Sequence, residues 1–473
     1  MEHLIKINLP GGFISAGDLY EILLIAESAG ATDIRFGNRQ QLYFTVKADR
    51  LEDMELDMLK SEISYEIDED VYPNIMSSYV ADTIFNHQDG WLREGVYKDI
   101  FDRFDHQPTL KVNLVDSHQT FVPFFSGNIN FIASSINNYW FTYIRFPKTD
   151  KLCCFPSLVY SEDIPVLAKV AEEIILQKKD LFYNQADIDE ELFYKTLTKK
   201  LTVAFRPVTE PLKLPDFYLP YYEGFNKYSN KYWLGIYRRN ELFKLDFLKD
   251  VCLLCLKTRI GQIYTSPWKS IIIKGIEQAD RNQWGLILSK YHLNVRHAAN
   301  ELNWQIEDMC KEGLELKQQL VRQFEEADAR TYQLSFAIKT QPKTGLQGSI
   351  ILRKDTHGLY DILHARDFNL NSKDEVIYAR RIKPHALSKK LIALCNEFYD
   401  QQSDPILSAT IALAEDDGAQ QETAIYECSS CLTRYDKQYG DPANDVEKGI
   451  DFELLDTYAC PVCDAPKSGF MLI

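Results

Sequence analysis

Four cysteines near the end of the chain, Cys428, Cys431, Cys460 and Cys463, form two Cys-x-x-Cys pairs with 28 residues between them. One such turn wraps its backbone around a metal and lends it two thiolates. Two turns facing each other complete a tetrahedron of soft sulfur ligands. This donor set suits one iron ion or one structural zinc ion. The other six cysteines lack the pattern: Cys153 and Cys154 are adjacent, and Cys310 and Cys395 are isolated on expected helices. Cys252 and Cys255 sit in the apolar helical stretch LFKLDFLKDVCLLCLKT, where small buried thiols are the expected reading.

The segment around the four cysteines, YECSSCLTRYDKQYGDPANDVEKGIDFELLDTYACPVCDAPKSGF, resembles the rubredoxins. The likeness rests on Tyr426, Tyr435-Asp436, Gly440-Asp441-Pro442, Gly449-Ile450, Phe452, Leu455, Tyr458, Pro461, Lys467 and Phe470. It implies a one-electron Fe(III)/Fe(II) centre that binds no substrate. Tyr426, Tyr435, Phe452, Tyr458 and Phe470 would pack beside the metal, and backbone N–H groups would point at the sulfurs. A zinc ribbon is the other reading of the spacing, although such ribbons usually have a shorter middle segment. Two positions depart from the family. Rubredoxins commonly carry Gly directly after the second and fourth cysteines, where the turn takes a positive φ, and here Leu432 and Asp464 stand there. Asp tolerates that region and Leu does so poorly, so the first turn is expected to be strained or remodelled. Tyr458 replaces a usual Trp.

The chain has 473 residues, too many for one core, with 45% apolar and 26% charged residues. Its net charge of −16 argues against nucleic acid as a partner, because phosphates reward clustered Lys and Arg. From Gln421 to Ile473 there are ten acids and four bases, which suits docking to a basic redox partner such as a reductase. No signal-like N-terminus and no bilayer-spanning apolar run are seen, so a cytoplasmic protein without a membrane partner is expected.

Upstream, AGDLYEILLIAESAG reads as a helix ended by Gly30, DIRFGNRQQLYFTV as a hairpin and LEDMELDMLKSEI as a second helix. The pattern returns at GQIYTSPWKSIIIKGI. Placing Ile34 on Ile263 aligns the two hairpins without a gap, which points to an internal duplication.

The first copy, GGFISAGDLYEILLIAESAGATDIRFGNRQQLYF, resembles the ferredoxin-like half-domain of sirohaem nitrite and sulfite reductases, and the second copy is similar to the corresponding half. The resemblance implies an α+β fold of duplicated half-domains, with Arg39 and Lys269 holding sirohaem carboxylates. The Cys-x5-Cys and Cys-x3-Cys motifs of those enzymes are missing, so no [4Fe–4S] cluster is expected. His297 and His364 have no visible partner and read as structural. No Gly-rich dinucleotide fingerprint occurs, so electrons must come from another protein.

These readings divide the chain into a first half-domain (1–75), an intervening α/β region (76–254), a second half-domain (255–330), a small α/β region (331–400), a linker (401–424) and the rubredoxin-like domain (425–473). The function expected is electron transfer through one iron ion, serving assimilatory nitrite or sulfite reduction. The alternatives are a sirohaem-binding reductase fed by its own rubredoxin domain and a zinc-stabilised interaction module.

Overall fold

The structure, a computed structural model, describes the chain except residues 86–89, 150, 186, 298, 342–344, 373 and 417–423 and the side chains of 299 and 403–416. It has two compact units, Met1–Phe398 and Tyr399–Ile473.

The first unit opens with β1 (Glu2–Ile7), β2 (Phe13–Ser15), α1 (Ala16–Ser28), β3 (Asp33–Phe36), β4 (Leu42–Lys47), α2 (Leu51–Lys60) and β5 (Glu66–Ile67). The Ser15 hydroxyl caps α1 by accepting from the Asp18 amide at 3.0 Å. Leu19, Ile22 and Leu23 lie on its buried face, as their helical spacing predicts.

The next section contains β6 (Met76–Ser77), α3 (Glu94–Asp102), β7 (Val112–Val115), β8 (Ile129–Ala133), β9 (Tyr139–Arg145), β10 (Leu152–Cys154) and β11 (Ser157–Tyr160). After these come α4 (Ile164–Gln177), α5 (Lys179–Phe182), α6 (Glu190–Lys200) and β12 (Arg206–Pro207). The strands form a sheet in the order β12-β11-β9-β8-β7-β6, with β10 on β9. Strands β7 and β8 are buried along their whole length, with apolar residues on both faces interrupted only by Asn113 and Asn130, which hydrogen-bond each other at 3.0 Å.

The third section comprises β13 (Gly224–Tyr228), β14 (Lys231–Ile236), β15 (Phe243–Lys244), α7 (Leu245–Lys257), β16 (Gln262–Thr265), β17 (Ile271–Ile276) and α8 (Arg281–Lys290). It repeats the first at a constant shift of 229 residues. That shift carries Glu2–Ile7 onto Lys231–Ile236, Ala16–Ser28 onto Leu245–Lys257 and Leu42–Lys47 onto Ile271–Ile276. It is the same shift that aligns the two hairpins in sequence. The left-handed backbone positions follow it too: Gly11, Gly12 and Gln40 (φ 77°, 76° and 67°) become Asn240, Glu241 and Lys269 (65°, 60° and 55°).

The repeats exchange strands. One sheet has the order β15-β3-β4-β1-β5 and the other β13-β14-β17-β16-β2, so each is bordered by a strand from the opposite repeat. Ile34 pairs with Phe243, and their counterparts Ile263 and Ile14 pair in the same way. The helices α1 and α7 pack on each other beneath the sheets. The first repeat is therefore not a self-contained unit of residues 1–75, and elements of the second begin at Lys231, ahead of residue 255.

The chain continues with α9 (Ala299–Leu302), β18 (Trp304–Ile306), α10 (Lys311–Glu326), β19 (Phe336–Lys339), β20 (Ile350–Lys354), β21 (Tyr360–Ala365), β22 (Glu375–Ile382) and α11 (Leu387–Asp416), whose first residues close the first unit at Phe398. In the sheet β18-β19-β20-β21-β22 the first two pairings are parallel and the last two antiparallel. The path β6-β7-β8-β9-β11 has the same sequence of pairings. A short 3-10 turn and a helix follow each path. The duplication thus extends beyond the half-domains to the sheets that follow them.

Helix α11 continues to Asp416, so helix covers most of the segment read as a linker, and residues 417–423 of that segment lie outside the described residues. The second unit then forms a small sheet, β24-β23-β25, from β23 (Ile425–Cys428), β24 (Arg434–Asp436) and β25 (Phe470–Leu472). Among the described residues, no helix is long and apolar enough to cross a membrane.

Candidate metal centre

Strand β23 delivers Cys428 to the start of the first metal turn. There the Leu432 amide donates to the Cys428 carbonyl at 2.8 Å, and the Cys428 amide donates to the Thr433 carbonyl at 2.8 Å. The second turn repeats these bonds: Asp464 donates to the Cys460 carbonyl at 2.9 Å and Cys460 to the Ala465 carbonyl at 2.8 Å. Both turns keep the left-handed residue after the second cysteine, with φ 62° at Leu432 and 58° at Asp464. The first turn is therefore strained rather than remodelled.

The four Sγ atoms lie within 4.8 Å of one another. Cys431 and Cys460 are 3.4 Å apart, and Cys428 and Cys463 are 3.7 Å apart. A tetrahedral ion with metal–sulfur bonds of about 2.3 Å needs sulfurs roughly 3.8 Å apart, so the cluster fits one four-thiolate ion. Cys428 and Cys460 are buried, Cys431 is half-buried and Cys463 is exposed, which leaves one edge of the site facing solvent. Hydrogen bonds favour the thiolate at two of the four sulfurs, while at Cys463 the Ala465 amide is outweighed by the neighbouring thiols, which push it up. The Thr433 hydroxyl and amide hold the Cys431 thiol below its usual range. Burial pushes the Cys428 thiol up, but hydrogen bonds, chiefly from the Ser430 and Cys431 amides, bring it below the usual range.

An aromatic cluster walls the buried side. Tyr426 stacks on Phe452 with centroids 4.5 Å apart, and Phe452 meets Tyr435, Tyr458 and Phe470 at 5.1–5.2 Å. Tyr458, in the place of the usual Trp, donates its hydroxyl to Asp441 Oδ2 at 2.7 Å, and Tyr435 donates to the Ile450 carbonyl at 2.7 Å. Asp441 also accepts from the Ala443 amide, which fixes the Gly-Asp-Pro loop.

The other two residues read from the sequence lie in the first unit. Arg39 is buried and donates through Nε and Nη2 to the Asn74 carbonyl at 3.1 and 2.8 Å. Its Nη2 also donates to the Val112 carbonyl and to Asn113 Oδ1, tying the repeat's turn to β7. Lys269 is buried and ion-paired to Glu241 at 2.8 Å and to Asp308 at 3.4 Å. Asp308 also accepts from the Asn38 amide and from Gln41 Nε2, each at 3.0 Å. A cavity of about 480 Å³ opens here, lined by Arg39, Lys111, Asp68, Asp70, Glu307 and Asp308 among others. Burial lowers the Arg39 pKa to about 10 and raises that of the Asp308 carboxyl.

The remaining singled-out residues have structural partners. The His297 amide donates to Glu223 at 2.7 Å, and His364 Nδ1 lies 2.8 Å from the Ala365 carbonyl. Cys252 and Cys255 are fully buried in α7, and burial pushes the Cys252 thiol up to about 12. Three site residues escaped the sequence reading. Glu241 was findable as the counterpart of Gly12 across the repeat, and Thr433 by its place two residues after Cys431. Asp308 has no local signal.

A strand-exchanged α+β body and a small aromatic-walled domain with four clustered thiols define a two-unit protein with a candidate four-thiolate metal centre. Residues 425–470 match the rubredoxin family, and residues 2–60 match the nitrite/sulfite reductase ferredoxin-like half domain. Through its C-terminal domain the chain belongs to the rubredoxin family. It is 46% identical over 48 residues to the "Probable rubredoxin HupI" of Bradyrhizobium diazoefficiens, covering 70% of that protein and 10% of this chain. It is 41% identical over 49 residues to Rubredoxin-2 of Chlorobaculum tepidum, covering 94% of that protein and again 10% of this chain. Most of the chain shares its fold with the NirA protein of Mycobacterium tuberculosis. That match has a TM-score of 0.62 and 14% identity, and covers 83% of this chain and 80% of the other.

Proposed function

We propose that the chain is a one-electron carrier whose C-terminal domain holds a single iron ion through Cys428, Cys431, Cys460 and Cys463. The observation that carries this reading is the four-sulfur cluster at tetrahedral spacing in a domain of the rubredoxin family. Bound iron would supply the Fe(III)/Fe(II) couple. The chain's own residues do the rest. The aromatic wall keeps water from Cys428 and Cys460, the turn amides and Thr433 stabilise thiolate charge, and the open edge at Cys463 gives an electron a short path to a docked protein. The acidic surface of this segment favours a partner with a basic docking face. The likeness of the body to a nitrite/sulfite reductase half-domain supports a cytoplasmic role beside nitrite or sulfite reduction, exchanging electrons with a reductase.

The reading in which the body itself binds sirohaem has less support. Lys269 is committed to two carboxylates, and Arg39 points two of its three nitrogens at carbonyl and amide oxygens. The nearby cavity also presents several carboxylates, which would repel an anionic ring. Lys269 is thus occupied, whereas Arg39 Nη1 is buried without a hydrogen-bond partner, and no step of the proposed function runs through sirohaem.

Elemental analysis of the purified chain, with visible spectra before and after dithionite, tests the proposal. One iron per chain with a bleachable thiolate-to-iron spectrum is expected. Stoichiometric zinc from iron-replete cells would overturn it, and an added tetrapyrrole band would favour the reductase reading.

A further inference from the structure

The two metal turns correspond residue for residue, which places Thr433 opposite Ala465. The amide of each favours the thiolate of the cysteine two positions before it, Thr433 at Cys431 and Ala465 at Cys463. The turns differ at the side chain. Thr433 Oγ1 lies 3.1 Å from Cys431 Sγ, and Ala465 has no hydroxyl to match it.

While Cys431 is a thiol, either atom of that pair can donate. A metal-bound sulfur has lost its proton, so the hydroxyl must then be the donor. A hydrogen bond to a thiolate draws negative charge off the sulfur. A four-thiolate iron centre carries one more negative charge as Fe(II) than as Fe(III), so this bond stabilises the reduced state more than the oxidised one.

We propose that Thr433 sets the potential of the centre: its hydroxyl, added to the backbone amides that serve both turns, raises the reduction potential of an iron bound by the four cysteines. The step is Fe(III) plus one electron giving Fe(II), with the electron supplied by a partner protein or an electrode. No covalent bond forms or breaks, and the hydroxyl keeps its proton throughout. Thr433 acts through Cys431 and never touches the metal, so it is a positioning residue. This inference rests on the iron reading of the proposed function.

The test compares midpoint potentials and visible spectra of the iron-loaded full chain with Thr433→Val, Thr433→Ala and Thr433→Ser. Val and Ala should shift the midpoint negative and move the thiolate-to-iron charge-transfer bands to longer wavelength, because the uncompensated sulfur donates more readily. Ser should keep both close to the original. Unchanged midpoints in Val and Ala, or a Ser variant shifted as far as Val, would overturn the assignment. A starting chain that holds zinc and shows no charge-transfer band would instead refute the iron reading, and the role of Thr433 with it. Should Val fail to load iron, the smaller Ala variant, which makes the two turns alike, still decides the matter.

Discussion

Lys269 and Glu241 form a buried ion pair at 2.8 Å whose counterparts in the first repeat are Gln40 and Gly12. The first repeat solves the same packing problem without charge. A Cβ on Gly12 would lie 2.3 Å from Gln40 Cδ, so the glutamine fills the space that Glu241 occupies in the other copy. Asp308 joins the charged version at 3.4 Å. Lys269→Met would leave the buried Glu241 and the half-buried Asp308 without their cation and should cost about 3–5 kcal/mol. The double variant Glu241→Gly, Lys269→Gln installs the neutral solution of the first repeat and should recover much of that loss. Urea unfolding of the full chain measures both.

Leu432 holds φ 62° with its side chain 68% exposed, so it has little packing to offset the left-handed backbone. Leu432→Gly should therefore stabilise the metal domain by about 1 kcal/mol, and Asp464→Gly by less, because Asp enters that region more readily. The temperature at which the visible spectrum is lost reports the change, which should be a rise for both.

Lys317 is buried against Tyr237, whose hydroxyl lies 2.8 Å from its ammonium. Burial lowers its pKa from 10.5 to about 8. Between these values the unfolded chain binds the proton and the folded chain does not, so this group adds stability as pH rises from about 8 to about 10.5. At neutral pH the folded protein bears the full cost of the buried charge. Lys317→Met removes the group, so the wild type should gain stability relative to the variant between pH 7 and pH 9.5. Denaturant midpoints at the two pH values check the sign.

The exchange of β2 and β15 makes each repeat's sheet depend on the other. A fragment of residues 1–75 lacks the strand that pairs with β3 and the helix α7 that packs on α1. It should show no cooperative unfolding transition by circular dichroism, whereas residues 1–398 should.

Local signals carried well from sequence to structure. Helix spacing and the two hairpins were legible because they depend on neighbours in the chain, and the gapless match of Ile34 with Ile263 reproduces the structural shift between the repeats. The four thiols were legible because each Cys-x-x-Cys turn is a local device, and the positive φ at Leu432 followed from the family's glycine. The strand exchange was not, because β2 and β15 are short and their edge pairing leaves no periodic mark. The commitment of Lys269 was hidden for a related reason. Its partners, Glu241 and Asp308, meet it only through the tertiary fold, and a turn lysine looks the same in sequence whether it faces a cofactor or a carboxylate.

The account stands most directly on the electron count of the metal domain. Anaerobic titration of the purified full chain with dithionite, followed in the visible and reversed with an oxidant, measures it. The account predicts complete bleaching with one electron per iron and one iron per chain, and full recovery of the spectrum on reoxidation. A colourless zinc protein, or uptake of several electrons per chain, would contradict it.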